Sequence, residues 1–138
     1  MQGIHVKEND DQSRDDKWVV QLRKGCLELA ILGALWERPL YGLEILRLIE
    51  SDSELIISEG TIYPLLARLK ALGFVESEWV ESGSGHPRKY YALTAAGRER
   101  ALEMAAMWER FSSSMGRVLA PLKGVTQCAN RKRKSKNT

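Results

Sequence analysis

The chain has 138 residues, 43% hydrophobic and 28% charged, an ordinary globular mix that excludes disorder throughout and collagen-like repeats. Its longest apolar stretch, Cys26 to Trp36, contains Glu28 and falls far short of the ~20 residues a membrane span needs. The net charge of +3 is unevenly spread: residues 1–17 hold three basic and five acidic side chains, residues 18–122 twelve and thirteen, and residues 123–138 six and none, so any case for nucleic acid rests on where individual charges stand.

Residues 1–17 are polar and aperiodic and read as a disordered arm. They carry five acidic residues and no apolar segment, which is not a signal peptide. Cys26 and Cys128 make neither a disulfide framework nor a CxxC pair, and the expectation is a reduced, cytoplasmic protein with no membrane association, metal or cofactor.

Trp18, Val19, Val20 and Leu22 form the first apolar cluster, a short helix or an anchoring arm. A first helix is predicted from Gly25 to about Glu37, with Leu27, Ala30, Ile31, Ala34 and Leu35 at i, i+3, i+4, i+7 and i+8. Leu29, Leu32 and Trp36 add a second apolar face, as expected of a helix lying between a core and a partner subunit. Pro39 ends it.

A second helix over Tyr41–Ser51 turns Tyr41, Ile45, Leu48 and Ile49 inward. After the polar break Ser51-Asp52-Ser53, a third runs from about Ser58–Thr61 to Leu72, with Ile62, Leu65, Leu66 and Leu69 inside and Gly73 as a left-handed cap. Pro64 cannot donate to the Gly60 carbonyl, so the helix either starts as late as Thr61 or has a distorted first turn.

The period then changes to two. Val75, Ser77 and Trp79 alternate with Glu76, Glu78 and Val80, a Gly/Ser/Pro turn follows, and Arg88 to Leu93 returns as a second strand. Thr94 caps a long helix over about Ala95–Leu119, closed by Pro121. The fold class is therefore mainly α with a small β-hairpin, a winged helix-turn-helix over residues 18–93 followed by a long C-terminal helix in residues 94–122. Residues 123–138 form a basic tail that either strengthens nonspecific DNA binding or simply stays solvated.

Three stretches carry a resemblance: LRKGCLELAILGALWERPLYGLEI, SEGTIYPLLARLKALGFVESEW and RKYYALTAAGRE. Together they resemble the PadR family of transcriptional regulators over roughly Leu22 to Trp108. The set is specific as a whole: an Arg-Lys-Gly helix start, Gly-Thr-Ile-Tyr-Pro-Leu-Leu, Arg-Lys-Tyr-Tyr and Leu-Thr-x-x-Gly in fixed order. One departure is Leu43, where the family usually places an aromatic after the glycine; here Tyr41 precedes Gly42. The resemblance implies a homodimeric repressor. Its third helix enters the major groove of a pseudo-palindromic operator in double-stranded DNA, its wing touches the backbone or minor groove, and its last helix dimerises. It also implies release by a small aromatic or hydrophobic effector.

The residues support that reading directly. With its leucines inside, the third helix turns Gly60, Tyr63, Pro64, Ala67, Arg68 and Ala71 outward. The small residues allow close approach to a groove, Tyr63 and Arg68 supply donors, and Arg68 suits a bidentate contact with guanine. Thr61 near the N-terminus suits phosphate. The wing adds Ser84, His86, Arg88 and Lys89, tempered by Glu76, Glu78 and Glu81. Arg23 and Lys24, read as preceding the first helix, sit badly with its dipole and are expected to meet phosphate.

In the last helix Ala101, Met104, Trp108, Phe111, Met115 and Val118 step by 3, 4, 3, 4 and 3. That is a heptad seam, and a small domain has no internal partner for it, so it is expected to dimerise. Trp108 is bulky for a seam and leaves space beside it. In the family a tryptophan at this distance from the glycine of Leu-Thr-x-x-Gly, here Gly97, faces its symmetry mate and sandwiches planar compounds. Trp108 and Met104 are thus the candidate ligand contacts, with Met107 and Met115 as adaptable neighbours. An enzyme is not expected, since His5 and His86 assemble no nucleophilic set. The alternatives are a winged-helix protein-interaction module and a regulator without a small-molecule effector.

Overall fold

The computed structural model describes residues 16–51, 55, 57–81, 83 and 85–125. Helix α1 spans Lys17–Ala34, starting well before Gly25 and ending before Glu37. The cause of the early start is Asp16, whose carboxylate accepts from the Trp18 and Val19 amides at 3.0 and 3.4 Å and satisfies orphan donors of the first turn. The apolar cluster from Trp18 to Leu22 is therefore the first turns of α1, and the predicted arm loses Asp16 and Lys17 to it; its residues 1–15 lie outside the described ones. Arg23 and Lys24 fall inside α1, so the dipole argument for them does not hold.

A two-residue strand β1, Leu40–Tyr41, precedes helix α2, Gly42–Ser51. Helix α3 covers Glu59–Ala71, strands β2 and β3 cover Val75–Val80 and Arg88–Leu93, and helix α4 covers Ala95–Val118, followed by a 3-10 turn at Ala120–Leu122. The three strands form one antiparallel sheet in the order β1-β3-β2. Leu40 stands opposite Tyr91, and the β2–β3 register runs from Val75 opposite Leu93 to Val80 opposite Arg88.

Two compact units divide the chain, residues 1–102 and 103–138. The core of the first is Leu27, Ile31, Leu32 and Leu35 of α1, Ile45, Leu46 and Ile49 of α2, and Ile62, Leu66 and Leu69 of α3. Leu40, Ile57, Val75, Tyr91 and Ala101 complete it. Each fully buried Leu or Ile contributes about 1.5–3 kcal/mol. Two inward assignments need correction. Leu48 is 51% exposed and Leu46 is buried in its place; Tyr41 is half-buried in β1, because pairing with Tyr90 takes it out of the helix. Leu65 is half-buried.

The Leu-Thr-x-x-Gly run has a visible function. Thr94 Oγ1 accepts from the Gly97 amide at 2.9 Å and donates to the Gly73 carbonyl at 2.7 Å, while the Thr94 amide donates to the Phe74 carbonyl at 3.1 Å. A Cβ on Gly97 would collide with that same Phe74 oxygen, so only glycine lets α4 start against the α3–β2 turn. Gly73 in that turn has φ +85, the left-handed cap expected of it. Arg98 secures the other side: its guanidinium donates to the Trp36 carbonyl at 3.2 Å and lies 4.7 Å from the Trp36 ring centre.

The second unit contains the rest of α4. Trp108, Phe111, Met115 and Val118 of the predicted seam are exposed there and Met104 is half-buried. The Trp108 and Phe111 ring centres are 6.5 Å apart. No helix among the described residues is long and apolar enough to cross a membrane.

Candidate nucleic-acid interface

Helix α3 opens on Ser58, whose extended backbone (φ −94, ψ 163) is that of an N-cap. Its carbonyl accepts from both the Thr61 and the Ile62 amides at 3.0 Å, and its hydroxyl lies 3.1 Å from Thr61 Oγ1. The bond to Thr61 spans three residues, not four, and tightens the first turn. Pro64 thus sits within a helix that starts at Glu59, before the latest start the sequence allowed, Thr61. Gly60, Thr61, Tyr63, Pro64, Ala67, Arg68 and Ala71 are all exposed, as the spacing of the buried positions requires.

The two donors on that face are restrained. Arg68 pairs with Glu28 of α1 at 3.1 Å, yet its side chain stays 65% exposed. So open a pair adds little stability, but it limits where the guanidinium can reach. Tyr63 is 44% exposed and leans back over the first residue of α2.

The hairpin lies beside this face. Lys70 Nζ of α3 donates to Ser77 Oγ of β2 at 2.8 Å. Alternation along β2 and β3 puts Trp79, Lys89 and Tyr91 on one side of the sheet. With Tyr41, Gly42, Tyr63 and Arg88 they line a hollow of about 430 Å³ between α2, α3 and the hairpin. Glu76 and Glu78 line a separate hollow with Pro39, Tyr90 and Ala92. Glu76 and Glu78 thus project from the side of the sheet opposite Lys89, the side to which the register also assigns Arg88.

Aromatic rings carry the wing's cations. The Arg88 guanidinium carbon is 4.5 Å from the Tyr41 ring centre, and Lys89 Nζ is 5.7 and 5.9 Å from those of Trp79 and Tyr91. Such contacts hold a cation in place for roughly 0.5–1 kcal/mol at exposed sites. Burial pushes the Tyr91 phenol above its ordinary pKa and the neighbouring Tyr63 pushes the same way.

The hollow brings together Tyr63, Arg88 and Lys89 of the residues expected to touch DNA. His86 is exposed further along the hairpin, and Ser84 lies outside the described residues. Lys24 is exposed and Arg23 half-buried on α1. Sequence reasoning missed Tyr41, Gly42, Trp79 and Tyr91 as neighbours of this face. A two-residue strand is too short to show a period, and only the register it makes with β3 brings Tyr41 under Arg88. Neither hollow is lined by Trp108 or Met104.

Comparison with known proteins agrees with this architecture. Residues 31–103 match the transcriptional regulator PadR-like family. An uncharacterized protein of Lysinibacillus sphaericus is 30% identical over 87 residues, covering 62% of this chain and 80% of the relative. A PadR-like transcription factor from Bacteroides fragilis is 40% identical with a TM-score of 0.61, covering 75% of this chain and 99% of that one. A PadR family transcriptional regulator from Eggerthella lenta is 36% identical with a TM-score of 0.66, covering 75% and 89%.

Proposed function

The chain belongs to the PadR-like family of transcriptional regulators and is a DNA-binding regulator; we propose that it acts as a homodimeric repressor on a pseudo-palindromic operator and lets go when a small aromatic or hydrophobic ligand binds. The observation that carries this reading is the exposed face of α3, small-residued around Tyr63 and Arg68, beside a hairpin whose Arg88 and Lys89 line one hollow with Tyr63.

In this reading Gly60, Ala67 and Ala71 let α3 sit deep in the major groove. Arg68 reaches a base edge, Thr61 meets phosphate, and Arg88, Lys89 and His86 follow the backbone from the wing. Arg23 and Lys24 add phosphate contacts from α1. A duplex enriched from a random pool by the wild-type protein serves as operator. Tyr63→Ala and Arg68→Ala are each expected to weaken it by ~1–3 kcal/mol, the range for a contact that reaches a base edge. If both bind as wild type does, α3 is not the recognition element.

The ligand follows from α4. Two Trp108 residues near the dimer axis, with Met104 beside them, would stack on a flat aromatic compound, adding roughly 0.5–1.5 kcal/mol beyond burial. Release follows when the bound dimer holds its two α3 helices at a spacing that misses successive major grooves. Titration with planar aromatic dyes should quench tryptophan fluorescence in the wild type and far less in Trp108→Ala, the control needed because Trp18, Trp36 and Trp79 also emit. Equal quenching and affinity in both removes Trp108 from any sensor.

A further inference from the structure

Gly42 is buried at the start of α2 and its φ is not positive, so its backbone is one that alanine, the better helix former, adopts readily. Its lack of a side chain answers to something else. A Cβ there would lie 2.5 Å from Tyr63 Oη, 2.6 Å from Cε1 and 2.7 Å from Cζ, far inside van der Waals contact. All three atoms belong to the far end of a half-exposed side chain, so an added methyl displaces the ring and leaves the backbone in place.

We infer that Gly42 is a positioning residue for DNA recognition: having no side chain, it lets the Tyr63 ring rest against α2 and keeps the hydroxyl at the hollow that Arg88 and Lys89 line. The inference rests on the DNA-binding reading of α3. A ring already restrained loses less rotamer freedom when DNA arrives. It also fixes which part of the duplex Tyr63 meets. Folded back toward the wing, its hydroxyl serves the strip between α3 and the hairpin, while Arg68 on the same helix is left to the groove floor. Ordinary exposed tyrosines on a helix have no such stop.

The test is a double-variant cycle with the full chain, on the enriched duplex and on a shuffled duplex of equal composition. Gly42→Ala should fold with a melting midpoint near that of wild type and bind the enriched duplex about tenfold more weakly, the factor for one lost contact. In a Tyr63→Ala background the same substitution should change affinity less than about twofold, because the ring it displaces is gone. A merely structural glycine would lower the melting midpoint and leave this coupling absent. The inference is overturned if Gly42→Ala binds as wild type does, if it is unfolded, or if its effect is undiminished without Tyr63. Tyr63→Ala binding both duplexes as wild type does would instead remove Tyr63 from recognition, and the positioning role with it; the recognition role of α3 falls only if Arg68→Ala does the same.

Discussion

A Phe111→Glu, Met115→Glu double variant is expected to sediment as a monomer. Both side chains are exposed on the α4 segment of the second unit, Phe111 at 60%, and the seam spacing puts them on one stripe with Trp108 and Val118. A soluble chain rarely leaves such a stripe uncovered. In the proposed dimer the substitutions bring four carboxylates together across the two-fold axis, removing apolar burial and adding like-charge repulsion. An unchanged dimer at micromolar concentration would place the interface elsewhere. The second apolar face of the first helical segment, where Leu29 and Trp36 are half-buried while Leu32 lies in the core, would then be the surface to alter.

Gly97→Val should lower the melting midpoint by roughly 10–20 °C, corresponding to a loss of about 3 kcal/mol for a domain this size. The added side chain meets the Phe74 carbonyl, which is backbone, and comes within 3.3 Å of Leu93 Cδ2. Relief requires moving α4 off the α3–β2 turn, which breaks the Thr94 bonds to Gly73 and Phe74 and leaves part-buried groups without partners. Circular dichroism melts decide it, and a shift within about 3 °C of wild type would show that the contact yields cheaply. Gly97 thus differs from Gly42: one faces backbone and guards the fold, the other faces a movable ring and sets a side chain.

Much of this was legible in the residues. The buried stripe Ile62, Leu66 and Leu69 marks α3, and its complement marks the outward face, because helical period leaves no other assignment. Both long strands follow from alternation and the turn between them, and Thr94 reads as a cap from residue type and position. Other features depend on partners distant in sequence. The start of α1 turns on one carboxylate, Asp16, within a run of acidic residues that look alike. The strand at Leu40–Tyr41 exists only through β3. The Arg68–Glu28 pair and the rings under Arg88 and Lys89 are tertiary contacts with no local signature. Gly42 reads as a loop-to-helix glycine until Tyr63 is seen against it.

The central claim is that two copies, joined through α4, present two α3 helices to successive major grooves. Hydroxyl-radical footprinting on the enriched duplex tests it most directly. The wild-type protein should protect two patches related by a dyad, with centres about 34–36 Å apart along the helix axis, and the Phe111→Glu, Met115→Glu variant should lose this paired pattern at the same protein concentration. A single patch without a dyad for the wild type, or the same two patches for the variant, would contradict the account.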